Sequence, residues 1–142
     1  MPQRKCLCPR HVLTSIPSVR WPWTVRNRTE LHQIVKDLGE ETYDWLLVLY
    51  VTEDLRLISA ETVGKGGIAT VEVPVGSIIH RGLVLGASAF FLAHNHPNGD
   101  PTPSLADIKT TARIVETAEA MDLPLLQHVI VAGNEIKTVG YW

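Results

Sequence analysis

Cysteine is scarce in this sequence of 142 residues, where Cys6 and Cys8 are the two examples and both lie near the N-terminus. The rest of the chain has none, so the sequence predicts no disulfide framework and gives no sign of an oxidising compartment. Together with His11, the Cys-x-Cys pair offers three of the four ligands of a structural zinc site, at an unusual spacing. It is therefore a weak indication of a metal.

Long hydrophobic runs are also missing. Residues 1–27 lack the apolar stretch of a signal peptide, and the longest apolar runs elsewhere are far too short to cross a bilayer. We therefore expect a soluble, cytoplasmic protein with no membrane partner.

Positive charge is rare outside the first 30 residues, which hold six Lys or Arg against one acidic residue, Glu30. Subtracting these from the totals of 13 and 15 leaves seven basic and fourteen acidic residues in the remainder. An acidic body cannot bind a nucleic-acid backbone by counterion release. Any contact with DNA is expected from the N-terminal arm, where Trp21 and Trp23 between arginines could stack on bases. The alternative is that the tryptophans dock the arm on its own domain.

The length and a hydrophobic fraction of 45% predict one globular domain. We place a basic arm at residues 1–27 and the domain at residues 28–142. Helical spacing and turn residues predict one helix within each of the stretches 24–39, 75–87 and 104–122, the first beginning after a cap at Asn27 or Thr29 and ending at Gly39. The inward positions expected on the second and third helices are Ile78, Ile79, Leu83 and Leu85, then Ile108, Ala112, Ile114 and Val115.

Strands are predicted between these helices. Residues 44–64 read as a hairpin, 69–74 as a short strand and 89–93 as a buried strand, and two last strands flank a turn at Gly133 and Asn134. This alternation of helices and strands predicts an α/β fold, with a mixed β-sheet and a helix on each face.

The stretch "AHNHPNGDPTPSLADI", residues 93–108, carries the chemistry. If the strand continues through His96, the side chains of His94 and His96 point to the same face. A stiff loop of prolines and turn residues then leads to a helix that begins at Ser104, with Asp107 in its first turn. Two imidazoles and one carboxylate with an open fourth position are typical of a catalytic zinc site, where zinc lowers the pKa of bound water to about 7.

A simpler interpretation needs no metal. Ser104 and Asp107 have the spacing of a capping box, in which serine caps the helix and the acidic residue bonds back. A cap does not explain two neighbouring histidines on one face. The other histidines have ordinary settings, and His128 in a strand is expected to be a hydrogen-bonded core imidazole. They are His11, His32, His80 and His128.

Other catalytic signatures are missing from the sequence. It contains no His-Glu-x-x-His helix, no zinc-deaminase pattern, no P-loop and no Gly-x-Ser-x-Gly.

The string His94-x-His96-x7-Ser104-x2-Asp107 resembles the JAMM (MPN-plus, JAB) metallopeptidase motif, and "HNHPNGDPTPSLADI" resembles more narrowly the bacterial RadC family. The resemblance covers roughly residues 28–142 and includes "LYVTEDLRLISAETV" and "GKGGIATVEVPVGSIIHRGL". It implies a JAB/MPN fold, which is cytidine-deaminase-like. In that family a helix-hairpin-helix region usually precedes this domain, and because the sequence shows no such region we expect a stand-alone domain.

The resemblance also implies roles for individual residues. His94, His96 and Asp107 would bind zinc, and Ser104 would help to hold the oxyanion formed when water attacks an amide carbonyl. The family uses a glutamate before the first strand as the general base, but the alignment places Asp44 there. A shifted strand start could present Glu41 instead. Gln127 departs as well, because the family usually has an acidic residue at this position.

Three functions follow, in order of preference. The first is a zinc metalloprotease or isopeptidase that acts on an unidentified protein or peptide, with Asp44 or Glu41 as base. The second is a non-catalytic MPN-type interaction scaffold, supported by the missing glutamate. The third is a DNA-repair accessory protein, supported by the basic arm. The sequence does not indicate an oligomeric state.

Overall fold

The computed structural model describes residues 14–15, 24–36, 45–63, 73–96 and 98–139. Helices and strands alternate along much of the chain. The strands are β1 (Thr14–Ser15), β2 (Leu46–Val51), β3 (Leu57–Val63), β4 (Ala89–Asn95), β5 (Leu125–Ala132) and β6 (Glu135–Val139), and the helices are α1 (Arg28–Val35), α2 (Val75–Leu85) and α3 (Leu105–Ala120).

The six strands form one sheet in the order β1-β3-β2-β4-β5-β6. β4 and β5 run parallel, and the other neighbouring pairs run antiparallel. The predicted mixed sheet is therefore confirmed. The α3 helix makes the crossover between the two parallel strands, as a parallel connection requires.

Helices cover both faces of the sheet, as predicted. Leu31 and Val35 of α1 pack with one set of alternating β2 residues, which includes Leu47 and Leu49. The α2 and α3 helices cover the opposite face. Every residue of β2 and β4 is buried, because these central strands are covered on both sides.

The first helix begins as predicted and ends earlier. The Asn27 side chain accepts a hydrogen bond from the Glu30 backbone at 2.9 Å, which caps α1. The helix ends at Val35, before the predicted end at Gly39. Gly39 itself lies outside the described residues.

The α2 helix packs closely on the sheet through a glycine. Ile78 and Ile79 are buried as predicted, but Leu83 is 46% exposed, so its predicted inward position was wrong. A Cβ added at Gly82 would lie 2.5 Å from the Leu123 side chain and 3.0 Å from the Tyr50 ring. Since the helix approaches its neighbours through this residue, the adjacent Leu83 lies at the side of the contact.

A methyl group at position 82 is expected to destabilise the protein. Gly82→Ala would force Leu123 and Tyr50 to move, and overpacking of this kind costs about 1–3 kcal/mol. Gly76→Ala on the same helix is the matched control, because a Cβ there meets nothing within 4 Å. It should leave the stability unchanged or raise it by up to about 1 kcal/mol. Urea unfolding of the two variants gives both values, and equal midpoints would contradict the close contact at Gly82.

The α3 helix is rotated from its predicted orientation. Ile114 is buried, but Ile108 is 45% exposed and Ala112 is exposed, so both predicted inward positions were wrong. The buried face begins instead with two polar residues, Asp107 and Thr111. Hydrophobic spacing could not find this face, because its first two positions hold polar side chains.

Two further comparisons concern the N-terminal part and the third predicted strand. Thr14–Ser15 pairs with the edge of β3 and Val25 is buried, so these N-terminal residues dock on the domain, whereas Trp21 and Trp23, which were expected to make this contact, lie outside the described residues. The division at residue 28 stays a prediction. The strand predicted at 69–74 falls largely outside the described residues, and Val73 and Pro74 precede α2 without forming a strand.

No helix in the described part of the chain is long and apolar enough to cross a membrane.

Candidate metal site

The two histidines lie at the end of the central strand β4. His94 is opposite Leu46 of β2 and Ile130 of β5, and it is 1% exposed. The strand ends at Asn95, and the backbone N–H of His96 donates to the Val131 carbonyl at 2.8 Å. The two rings meet in an edge-to-face arrangement, with their Nε2 atoms 3.1 Å apart. The predicted common face is confirmed.

The loop after β4 fixes the tautomer of His96. Its Nδ1 lies 2.8 Å from the backbone carbonyl oxygen of Asp100. A carbonyl can only accept, so Nδ1 carries the proton and donates it. The Nε2 of a neutral His96 then presents a lone pair to His94 and Asp107. The loop is braced by turns in which Asn98 and Asp100 side chains accept from backbone N–H groups two residues further on.

Ser104 and Asp107 form the capping box predicted by the simpler interpretation. The Ser104 hydroxyl oxygen accepts from the Asp107 backbone at 3.0 Å, and Asp107 Oδ2 accepts from the Ser104 backbone at 2.8 Å. The box uses one carboxylate oxygen. It therefore holds Asp107 in place and leaves Oδ1 for another partner, so capping and metal binding are compatible.

The geometry of the three side chains fits a metal. His94 Nε2 lies 3.4 Å from Asp107 Oδ1, and His96 Nε2 lies 3.4 Å from Asp107 Oδ2. The two imidazole Nε2 atoms are 3.1 Å apart, close to the separation of about 3.3 Å between ligands of a tetrahedral zinc ion. The two 3.4 Å distances end on different oxygens of Asp107, and all three residues offer a ligand atom within 4.8 Å of the others. Asp107 Oδ1 is buried and has no hydrogen-bond partner. The described residues thus bring together a group that can hold a metal ion, His94, His96 and Asp107.

Electrostatics favours a charged Asp107. Burial raises the pKa of its carboxyl group, but the neighbouring His94 ring, whose Nε2 lies 3.4 Å from Oδ1, and the hydrogen bonding of Ser104 lower it more strongly. The net effect holds the pKa of Asp107 below its usual range, so the group is an anion at neutral pH. An ionised carboxylate is the form that binds metal cations.

His128 is a participant that sequence reasoning treated as an ordinary core residue. It is completely buried in β5, and its Nε2 lies 2.8 Å from Nδ1 of His94. On its other side, Nδ1 lies 2.7 Å from the Thr111 hydroxyl of α3. Burial, followed by the charge of His94, holds the pKa of His128 well below its usual range. A buried histidine within an apolar strand and a threonine one turn after Asp107 were the signals that could have identified this pair.

Asn95 connects the histidines to the start of β2. Its side-chain oxygen accepts a hydrogen bond from the Trp45 backbone N–H at 2.6 Å. Asn95 is buried and lies between the two histidines in sequence. The residue that directly follows Asp44 is therefore fixed to the strand that carries His94.

The two candidate bases, Asp44 and Glu41, lie outside the described residues. Their assignment stays a prediction. Gln127 lies in β5, opposite Phe91 of β4, and is half-buried.

A comparison with known protein families tests the resemblance suggested by the motif. The family described as "RadC-like JAB domain" matches residues 25–139, which is most of the chain and includes the whole candidate site. The chain belongs to the RadC family. The predicted α/β fold of JAB type is confirmed.

Several bacterial proteins are similar to this RadC-like domain. The chain is 40% identical over 102 residues to the UPF0758 protein YfjY of Escherichia coli, covering 72% of this chain and 63% of that protein. It is 42% identical over 89 residues to YeeS of the same organism, covering 63% and 60% of the two chains. A UPF0758 protein of Carboxydothermus hydrogenoformans is 36% identical over 98 residues, covering 69% and 43%. The chain therefore spans about half the length of these relatives, whose names state no activity.

Proposed function

We propose that this RadC-like domain is a zinc-dependent hydrolase of amide or isopeptide bonds. The observation that carries the proposal is the meeting of two imidazole nitrogens with a buried carboxylate oxygen that has no hydrogen-bond partner. Such an oxygen is costly to bury unless a ligand completes its interactions. A peptidase of the JAB type would use this group to hold its metal.

His94, His96 and Asp107 would be the three protein ligands. Two neutral imidazoles and one carboxylate leave a tetrahedral ion one open position. Zinc would supply a Lewis acid that polarises an amide carbonyl and lowers the pKa of the attacking water. His94 and Asp107 are each 1% exposed, whereas the His96 side chain is 19% exposed, so solvent and substrate would approach from the side of His96.

Ser104 would stabilise the negative charge that develops on the carbonyl oxygen. In the capping box its hydroxyl oxygen accepts a hydrogen bond, so its own hydrogen can still be donated. The cap also fixes the position of the hydroxyl group at an exposed helix start. A donor that is already in place needs little reorganisation as charge develops.

Asp44 is the preferred base among the two candidates. It precedes Trp45, whose backbone is fixed by Asn95, and consecutive Cα atoms are about 3.8 Å apart. Glu41 is four residues from Trp45 and can lie up to about 14 Å away. The base would accept a proton from the attacking water and return it to the amine leaving group.

The metal content of the purified protein tests the proposal. We expect about one zinc ion per chain in protein prepared without an affinity tag or added zinc. His96→Ala should lose the metal. Asp107→Asn should lose it too while keeping the shape of the capping residue. Elemental analysis of the intact proteins measures all three.

His80→Ala is the matched control, because His80 is an exposed histidine on α2 and is not one of the three proposed ligands. It should keep the zinc content of the wild type. Wild-type protein that contains no zinc, and cannot be loaded by zinc titration, would contradict the hydrolase proposal and favour the scaffold function.

A further inference from the structure

The proposed hydrolysis makes no direct use of two buried polar side chains behind the site, His128 and Thr111. His128 bridges two elements, because its ring contacts His94 of β4 on one side and Thr111 of α3 on the other. Both are at most 2% exposed. Burying a histidine nitrogen without a hydrogen-bond partner would be costly, so both ring nitrogens of His128 need their partners. Which nitrogen donates and which accepts is therefore determined by these neighbours.

When no metal is bound and each ring carries one proton, the contacts around His94 allow one arrangement of these protons. Nε2 of His94 faces two acceptors, the lone pair of His96 Nε2 at 3.1 Å and the carboxylate of Asp107 at 3.4 Å. His94 must therefore carry its proton on Nε2. Its Nδ1 then accepts from His128 Nε2, and His128 Nδ1 accepts from the Thr111 hydroxyl. In this hydrogen-bond chain, protons are donated in the direction from Thr111 through His128 to His94.

A metal at the site requires the opposite direction. His94 Nε2 can bind a metal only through its lone pair, so its proton must be on Nδ1 and be donated to His128. His128 then carries its proton on Nδ1 and donates to Thr111. The Thr111 hydroxyl can donate in turn to a backbone carbonyl four residues earlier, as helical threonines do. Each ring holds one proton in both arrangements, so the net charge of the pair does not change.

We propose that His128 and Thr111 are positioning residues for His94, and that their hydrogen-bond chain reverses direction when the site binds its metal. The chain would hold the His94 ring with Nε2 toward the site in both states. It would also join the ligand His94 of β4 to α3, the helix that supplies the ligand Asp107. The inference rests on the proposed metal site but is independent of hydrolysis.

The alternative is that His128 only fills space in the core. A side chain that only fills space must have the right volume, but it needs no particular partner at either ring nitrogen. Two observations favour the positioning role: both nitrogens of His128 have a polar partner within 2.8 Å, and one of these partners is a ligand of the candidate site. Outer partners of metal-binding histidines typically fix the tautomer and ring orientation of the ligand.

The tautomer of His128 gives the most direct test, in wild-type protein labelled with 15N at histidine. Long-range 1H–15N spectra should show the proton of His128 on Nε2 in metal-free protein and on Nδ1 after zinc is added. The same tautomer in both states would overturn the inference, even if zinc is bound. Wild-type protein that binds no zinc would overturn both this inference and the proposed function.

Zinc affinity, measured by competition with a chelator, gives a second test. Thr111→Val replaces the hydroxyl group with a methyl group of similar size, and His128→Leu removes both hydrogen bonds and leaves His94 without its partner. We expect His128→Leu to weaken zinc binding by about 10–100-fold, in the range typical of outer-shell partners. His128→Gln, which can both donate and accept, should recover part of the loss.

Thr110→Val is the matched control for Thr111→Val, because Thr110 is the preceding residue on α3 and is only half-buried. Thr111→Val should weaken zinc binding by more than Thr110→Val. Equal affinities for these two variants, or wild-type affinity in His128→Leu, would overturn the positioning role. If His128→Leu does not fold, the threonine pair and the spectra of the wild type still decide the question.

Discussion

Replacing Asp44 with asparagine is expected to lower the rate of zinc-dependent amide hydrolysis by about 10²–10⁴-fold, the usual contribution of a general base. Asparagine has nearly the size of aspartate but cannot accept a proton at neutral pH. Glu41→Gln should have a much smaller effect, because Trp45, whose backbone is fixed by Asn95, directly follows Asp44. The two variants should bind zinc as the wild type does, since neither residue is a proposed ligand.

The rate can be measured without a defined substrate. Zinc-loaded proteins are incubated for increasing times with a complex mixture of peptides and isopeptide-linked peptides, and the new N-termini and freed lysine amines are counted by mass spectrometry. A large loss with Glu41→Gln and none with Asp44→Asn would assign the base to Glu41. If zinc-loaded wild type cleaves nothing that the metal-free protein leaves intact, the scaffold function would be favoured. An activity that survives both substitutions would contradict both assignments.

The second large effect is a loss of folding stability when a buried ion pair between α2 and β3 is broken. Glu61 is 1% exposed, and its carboxylate accepts from the Ser59 hydroxyl at 2.7 Å and from Arg81 Nε at 3.0 Å. Arg81→Met would leave this buried carboxylate with only part of its partners. Breaking a fully buried pair costs about 3–5 kcal/mol. Because the Arg81 side chain is 40% exposed, we expect a loss of about 2–3 kcal/mol.

Urea unfolding measures this cost, with two further variants as references. Adding Glu61→Gln to Arg81→Met removes the buried charge that has lost its partner, and this should recover part of the stability. Arg26→Met breaks an ion pair whose arginine is 63% exposed and should cost much less than Arg81→Met. A similar cost for Arg81→Met and Arg26→Met would show that the buried position of Glu61 does not matter.

Much of the fold could be predicted from local sequence signals. The predicted fully buried strand before His94 corresponds to β4, and the turn at Gly133 lies between β5 and β6 as expected. These predictions succeeded because strands buried on both faces are continuously apolar and tight turns select glycine, whose φ here is +61°. The capping residues Asn27 and Ser104 were found for the same reason, since their side chains act locally.

The errors fall where tertiary contacts override the local pattern. The inward face of α3 was misplaced because Asp107 and Thr111 occupy buried positions that hydrophobic spacing assigns to apolar residues. Sequence patterns are expected to fail at functional sites, where local rules are broken for the sake of chemistry. The connection of His94 to His128 could not be predicted, because the parallel pairing of β4 and β5 brings together residues 34 positions apart.

The hydrogen bond between Asn95 and Trp45 has a consequence for thermal motion. β4 carries His94 and leads directly into His96, and its Asn95 holds the backbone of Trp45, the residue next to the preferred base. When β4 moves within the sheet, the ligands and the backbone beside Asp44 move together. The separation between these groups should then fluctuate less than the position of either one, which favours a catalytic arrangement already in place before substrate arrives.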